Sequence, residues 1–370
     1  MPHTPDPVED DLDTIPPPPP VFHVEQALLG ALLLEPQRLA SVTGIAADSF
    51  STAAHSALFA AIRSLPAPDP AQHAKNTKWL DQVLAAARDE ARGLSATHLH
   101  SLIEICPQPR HAPAYARMIE AEHSRRRLSA AAQRVMHTAR DTSLPQRVAT
   151  TLAEADALTA VVDDIGARFP PHSGSLPRTP APSPATTHDE ETADEERLLL
   201  ATATEHPSSV DQMRWLTSAD FTHPLHAGLW QCLTALTRRG KPVDPVTVLW
   251  EAQHRGLLDA EAEPRQLLDL LALPFGSPEH WGERMLQRSV LATAHHIARC
   301  IEAITKDPTA TPYQLIVGSR RALADLSSVR TRWQHATSPE PTRRPARTRA
   351  TAAPRAGPPT TAPPAARISR

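Results

Sequence analysis

The sequence predicts an all-α protein built from two tandem helical-bundle domains. Apolar residues recur at helical spacing in two long blocks, and alternating β-branched segments are missing from both. The two blocks also repeat each other at a constant displacement along the chain, as duplicated domains do. Helices therefore form both blocks, and each block buries a core of its own.

Proline clusters mark the predicted boundaries. The run of prolines over residues 16–20 can only be extended, and two further proline-rich stretches lack enough apolar residues to fold. We expect disorder in all three stretches. The predicted organisation is an acidic arm over 1–20, a first helical domain over 21–168, a linker over 169–189, a second helical domain over 190–334 and a basic tail over 335–370.

The duplication is explicit in the apolar positions. Leu58, Phe59, Ile62 and Leu65 share their spacing with four residues that lie 171 positions later. The same displacement relates further pairs: Glu25 and Glu196, Leu28 and Leu199, Pro36 and Pro207, Phe50 and Phe221, His55 and His226, Phe59 and Trp230. One register across so many positions indicates a duplicated domain.

Each block opens with an amphipathic helix that a proline ends. In the first block the apolar stripe continues to Leu32 and Leu33 before Pro36, and in the second Pro207 is the stop. Later in the second block, Asp244 and Pro245 form a helix start, and Gly256 is placed for a left-handed helix end.

Both blocks close with long helices, predicted over 112–139 and 278–304. A displacement of 166 relates them, pairing Tyr115 with Trp281 and Val135 with Ile301. Shorter helices are predicted to follow over 145–162 and 312–329.

Composition restricts the class of protein. The chain has 370 residues, a formal net charge of −3 and three widely spaced cysteines without a CxxC pair, which argues against a disulfide scaffold or a zinc ribbon. No apolar run is long enough to span a membrane, and the amino terminus lacks the basic and apolar regions of a signal peptide. We expect a cytoplasmic protein.

Several strings in the two blocks are long enough to be specific. The first block carries VEQALLGALLLEP over 24–36, then DSF over 48–50, LFAAI over 58–62 and AYARMI over 114–119. The second block carries DFTHPLH over 220–226 and RGKPVDPVT over 239–247. These strings resemble the N-terminal domain of DnaB-type replicative DNA helicases, in two tandem copies. The positions that match the family motif, for which we expect structural roles, are Glu25, Gly30, Phe50, His55, Phe59, Tyr115, Asp220, Phe221, His226, Trp230, Asp244 and Pro245.

The resemblance implies a function in DNA replication through protein–protein interaction. In that family this domain forms collar-like assemblies and docks other replication proteins, while a RecA-like domain hydrolyses ATP. This sequence has no G-x-x-x-x-G-K-[ST] string to hold phosphates, so we expect neither an enzyme nor a cofactor. The expected partners are a replicative helicase, a primase or a helicase loader, or further copies of the chain.

Two alternatives come from other readings of the same sequence. Arginines of the first closing helix and of the tail could bind phosphates by charge, as in a nucleoid or single-stranded-DNA-binding regulator. The candidate residues are Arg125, Arg126, Arg127, Arg343, Arg344, Arg347 and Arg349. The chain could also be a helicase fragment whose ATPase motor is supplied in trans.

Metal binding and thiol chemistry are the weaker hypotheses. His223 and His226 have helical i, i+3 spacing but no evident third ligand, so a structural role shared with His55 is preferred. The three cysteines are interpreted as inert thiols. The aromatic residues on apolar stripes are interpreted as core.

Overall fold

The computed structural model describes residues 17–170, 182, 189–258 and 263–338. These residues form α-helices and short 3-10 turns and contain no strand, which confirms the all-α prediction. By their contacts the two helical domains form one compact unit that ends at Ala336. The predicted disorder of the arm, linker and tail falls mainly on residues outside the described ranges.

The first domain contains seven α-helices. They are α1 (Pro20–Leu34), α2 (Ala53–Ser64), α3 (Pro70–His73), α4 (Lys78–Glu90), α5 (Ala96–Ile105), α6 (Ala112–Arg140) and α7 (Arg147–Arg168). Helix α1 lies at the centre and packs against α2, α5 and α6. Its predicted stripe is fully buried, with Leu28, Leu29, Leu32 and Leu33 all at 0% exposure.

One glycine allows a close helix approach in this domain. A Cβ atom at Gly30 would lie 2.1 Å from the carbonyl oxygen of Leu102 on α5. Any side chain there would push α5 away from α1, since that distance is far inside van der Waals contact. The second domain has Ala201 at the matching position, also buried.

The second domain repeats the plan with its own helices. They are α8 (Glu190–Glu205), α9 (Pro207–Gln212), α10 (Pro224–Arg238), α11 (Pro245–His254), α12 (Pro264–Leu271), α13 (Pro278–Lys306) and α14 (Pro312–Thr337). Asp244 caps α11 by accepting hydrogen bonds from the backbone N–H groups of Val246 and Thr247, at 2.8 and 3.0 Å. Gly256 follows with a φ of +68°, as the helix-end motif predicts.

A third core joins the two domains. The closing helices α6 and α7 of the first domain pack against α13 and α14 of the second, and their apolar faces form one continuous cluster. The fully buried residues at this junction include Ala132, Leu158, Leu286, Val290, Ala294, Ala298, Ile301 and Leu315. The two domains are therefore held together by a shared hydrophobic core, in addition to their covalent linker.

The predicted closing helices are confirmed, and all four end later than predicted, while α7 also begins two residues later, at Arg147. Helices α6 and α13 begin at the predicted residues and run one or two residues longer. Helix α7 extends past its predicted end to Arg168, and α14 extends to Thr337. The additional turns place Ile165 and Trp333 on the shared core, a contact between domains that the periodicity of one helix does not reveal.

Candidate functional site

A buried carboxylate links two helices of the first domain. Glu25 on α1 is 0% exposed and accepts hydrogen bonds from the backbone N–H and hydroxyl of Ser51, at 2.7 and 2.9 Å. Its second oxygen lies 2.7 Å from Nδ1 of the buried His55 on α2. The carboxylate thus fixes the start of α2 against α1. Both of its oxygen atoms have hydrogen-bond partners within the domain.

The second domain contains the same arrangement. Glu196 on α8 accepts hydrogen bonds from Thr222 N–H and hydroxyl at 2.6 and 2.7 Å, and lies 2.7 Å from Nδ1 of His226 on α10. Burial alone would raise the pKa of Glu196, but the hydrogen bonds from His226 and Thr222 outweigh it and lower that pKa. Both pairs act as structural latches between an opening helix and the helix that follows.

The aromatic motif positions also lie in or against the domain cores, whereas Asp244 is exposed at the start of α11. Phe50 packs on Phe59 with ring centroids 4.9 Å apart, and Phe221 packs on Trp230 at 5.8 Å. Tyr115 is half-buried against the first core. Side-chain burial leaves these residues little surface to offer a partner.

Asp220 lies at the centre of a hydrogen-bond network that the sequence did not indicate. Its carboxylate accepts from Thr217 N–H at 2.8 Å and from the Ser289 hydroxyl at 2.7 Å, and it also pairs with Arg332 on α14. Arg332 donates in addition to the carbonyl oxygen of Trp215 at 3.1 Å. This network anchors α14 on the loop before α10.

The arginine cluster predicted for nucleic-acid contact is engaged inside the protein. Arg125 donates to the carbonyl oxygens of Thr305, Asp307 and Ala310 at 3.0, 2.5 and 2.6 Å. Guanidinium groups satisfied in this way are poor phosphate ligands, because binding would first break internal hydrogen bonds.

Its two neighbours are held similarly. Arg126 donates to the carbonyl oxygens of Ser49 and Phe50 at 2.7 and 3.3 Å, and Arg127 pairs with Asp164 at 2.6 Å. These bonds give the cluster a structural role, and the predicted phosphate contact of the cluster stays a prediction. The tail residues of the same hypothesis, Arg343, Arg344, Arg347 and Arg349, lie outside the described residues.

The domain junction has an approximate two-fold symmetry within one chain. The displacement of 166 makes Leu291 the equivalent of Arg125 and Thr305 the equivalent of Ala139. Arg125 contacts Thr305, and Leu291 lines a cavity together with Ala139. The two ends of the α6–α13 contact are therefore formed by equivalent positions of the two domains. This arrangement requires the two helices to run antiparallel.

An exposed apolar stripe lies on α11. Val246 and Trp250 are each 64% exposed, four residues apart, while Val248 and Ala252 on the opposite face are buried. The ring of His254 lies 4.8 Å from Trp250 and extends the stripe by one turn. The sequence signal for this surface is the i, i+4, i+8 spacing of Val246, Trp250 and His254, which falls outside the buried face of the helix.

Metal and thiol sites find no support among the described residues. No group of three or more histidine, cysteine or acidic side chains is arranged to hold a metal ion in the described ranges. Burial raises the pKa of the Cys232 thiol to about 11 and also raises the pKa of Cys106 and Cys300. Over the described residues, no helix has the combined length and apolarity that crossing a membrane requires.

These features define a class of protein: a tandem pair of helical bundles with duplicated Glu–His latches and a shared core of closing helices. The family described as DnaB-like helicase N terminal domain matches residues 17–121 and 188–279, more than half of the chain. The chain belongs to this family, which associates it with the helicases of DNA replication.

One curated relative supports the same assignment. The Replicative DNA helicase DnaB of Mycobacterium leprae (strain TN) is 32% identical over 99 residues, which are 27% of this chain and 16% of the helicase. The match therefore spans about one sixth of the length of that relative. No solved structure matches the chain significantly.

Proposed function

We propose that the protein is a non-catalytic factor of DNA replication that works by protein–protein interaction. Its binding partner would be a replicative helicase, a primase or a helicase loader, or another copy of itself. The observation that carries the proposal is the pairing of two helicase N-terminal-type domains, within one chain, through a shared core of closing helices. A chain that pairs these domains internally can present one binding surface on each domain, with the two surfaces held in a fixed relative position.

The α11 stripe supports an interaction role. Two large apolar side chains at 64% exposure on a single helix face are costly in water, and such patches commonly mark protein contacts. In this proposal, Val246 and Trp250 form the anchor of the partner interface.

The interaction half is tested by binding. The purified chain is immobilised, and the replicative helicase, the primase and the loader from the same cells are passed over it separately, while light scattering measures self-association. We expect one of these measurements to give specific association that Trp250→Ala weakens at least ten-fold. Met118→Ala is the matched control, since Met118 is 54% exposed on the first domain. Absence of association with all three proteins and with itself would contradict the proposal.

The non-catalytic half is tested by turnover. We expect no ATP hydrolysis by the purified chain with or without single-stranded DNA. DNA-stimulated hydrolysis that survives further purification would refute this half. An increase in the ATP hydrolysis of a separate helicase motor when this chain is added, above the rate of the motor alone, would favour the in-trans motor hypothesis.

A further inference from the structure

A basic cavity lies at one end of the domain junction. It has a volume of about 400 Å³, within the range of small-molecule sites. Its polar and charged lining consists of Arg140, Arg147, Arg288, Arg299, His295 and His296, together with Thr293. None of the described residues that line it is acidic, so the cavity has a concentrated positive charge.

The two ends of the domain junction differ, and the difference leaves room for the cavity at one end. At the other end, Arg125 fills the equivalent space and satisfies three carbonyl groups of the opposite domain. Leu291 occupies the position equivalent to Arg125 and carries no donor. Arg147 reaches only one carbonyl group here, that of Ala139, at 3.0 Å.

Three of the four arginines form no ion pair with a described residue. Arg140, Arg147 and Arg299 lack a carboxylate partner, whereas Arg288 pairs with Glu195. Arg147 instead donates to the carbonyl oxygen of Ala139. Burial lowers the pKa of His295, and the nearby Arg140 and Arg299 lower it further, as expected where positive charge accumulates. The charge of Arg140 and Arg299 is thus available to a ligand.

Arg140 and Arg299 can be reached from the cavity. Both line it, and the side chain of Arg140 is exposed while that of Arg299 is partly exposed, so a ligand in the cavity can contact them. Guanidinium groups recognise phosphate by paired, charge-assisted hydrogen bonds.

We propose that this cavity binds a small phosphorylated anion, such as a nucleoside di- or triphosphate or inorganic pyrophosphate. The chemistry is recognition of adjacent phosphate groups by Arg140 and Arg299. A nucleic-acid strand fits less well, because the described residues that line the cavity include no Trp, Tyr or Phe on which bases could stack. A ligand in the cavity would also bind both domains at once.

The test is calorimetric titration of the full chain with pyrophosphate, with ATP and with GTP, at fixed ionic strength. We expect one site per chain, and we expect Arg140→Gln combined with Arg299→Gln to weaken binding at least ten-fold. Arg299→Lys keeps the charge and loses the planar fork, so its loss should be smaller. Arg265→Gln, at an exposed arginine on α12, is the matched control and should leave binding unchanged.

The possible outcomes distinguish a nucleotide ligand from a simple phosphate anion. Tighter binding of ATP or GTP than of pyrophosphate identifies a nucleotide, and equal binding identifies the phosphate groups as the ligand. The proposal is overturned if no probe binds, if the double variant binds as wild type does, or if only a single-stranded oligonucleotide binds in an arginine-dependent manner. Should the double variant unfold, Arg140→Gln alone decides, since Arg140 is exposed.

Discussion

The guanidinium group of Arg125 in the first domain donates a 2.6 Å hydrogen bond to the carbonyl oxygen of Ala310 in the second. Ala310 lies in the turn between α13 and α14. Arg125 also donates to the carbonyl oxygen of Thr305 in the last turn of α13, where carbonyl groups have no partner within the helix. Arg125 therefore completes the end of a helix in the other domain. This contact couples the folding of the two copies more specifically than apolar burial alone.

Replacing Arg125 should weaken the domain junction. Arg125→Met keeps the apolar stem and leaves three carbonyl groups without their charged donor, so we expect a loss of about 2–4 kcal/mol in the free energy of unfolding. Urea denaturation followed by circular dichroism measures it. Arg134→Met is the control: Arg134 is 52% exposed and pairs only with Glu154, so its loss should stay below about 1 kcal/mol. Equal losses for the two variants would contradict the assigned role of Arg125.

Leu32→Asp should unfold the first domain. Leu32 is 0% exposed at the centre of α1, and an unpaired carboxylate there costs on the order of several kcal/mol. Leu34→Asp on the same helix is the control, because Leu34 is 37% exposed and its carboxylate can remain hydrated. Thermal melting distinguishes them: we expect a large drop for Leu32→Asp and a small one for Leu34→Asp. A Leu32→Asp melt like that of wild type would disprove the core position.

The sequence predicted much of the structure within each domain. Helical spacing located the buried face of α1, and the displacement of 171 identified Glu25 and Glu196, and His55 and His226, as equivalent positions. The contact of each glutamate with its histidine was found only in the structure. The sequence did not predict the contacts between the two domains. Arg125 resembled a free phosphate ligand because helical spacing gives the face of a residue and says nothing about which distant carbonyl group will meet it. The cavity around Arg299 escaped prediction for the same reason: its lining comes from both domains.

The Glu196 latch should make stability depend on acidity. The folded-state pKa of Glu196 lies below its ordinary value, so its contribution is fully present above about pH 4.3 and is lost as pH falls through the folded-state pKa. Glu196→Gln should lower stability at pH 7 by about 2 kcal/mol and flatten this acid limb. Urea unfolding at several pH values between 3 and 7 measures both effects. An unchanged acid limb in the variant would show that other carboxylates produce it.

His98 should produce a second loss of stability at milder acidity. Burial lowers the pKa of His98, and the nearby His55, whose ring lies 6.4 Å away, lowers it further. The unfolded chain therefore takes up this proton first. Stability from His98 is complete above about pH 6.5 and declines as pH falls toward the folded-state pKa. His98→Gln should flatten the decline between pH 6.5 and 5, whereas His100→Gln, on an exposed histidine of the same helix, should not.

The three thiols should differ in reactivity according to burial. The thiol pKa of about 11 at the fully buried Cys232 leaves a thiolate fraction of about one in a thousand at pH 8, and its side chain is closed to reagent. Cys106, which is half-buried at the end of α5, should react first with a thiol-specific disulfide reagent, and Cys106→Ser should abolish that fast phase. Cys232 should react only as the protein unfolds, so its rate should rise with urea in step with the loss of helix signal. Labelling of Cys232 in the native protein at the rate of Cys106 would mean that α10 opens locally, and that the core of the second domain is less firmly closed than its burial indicates.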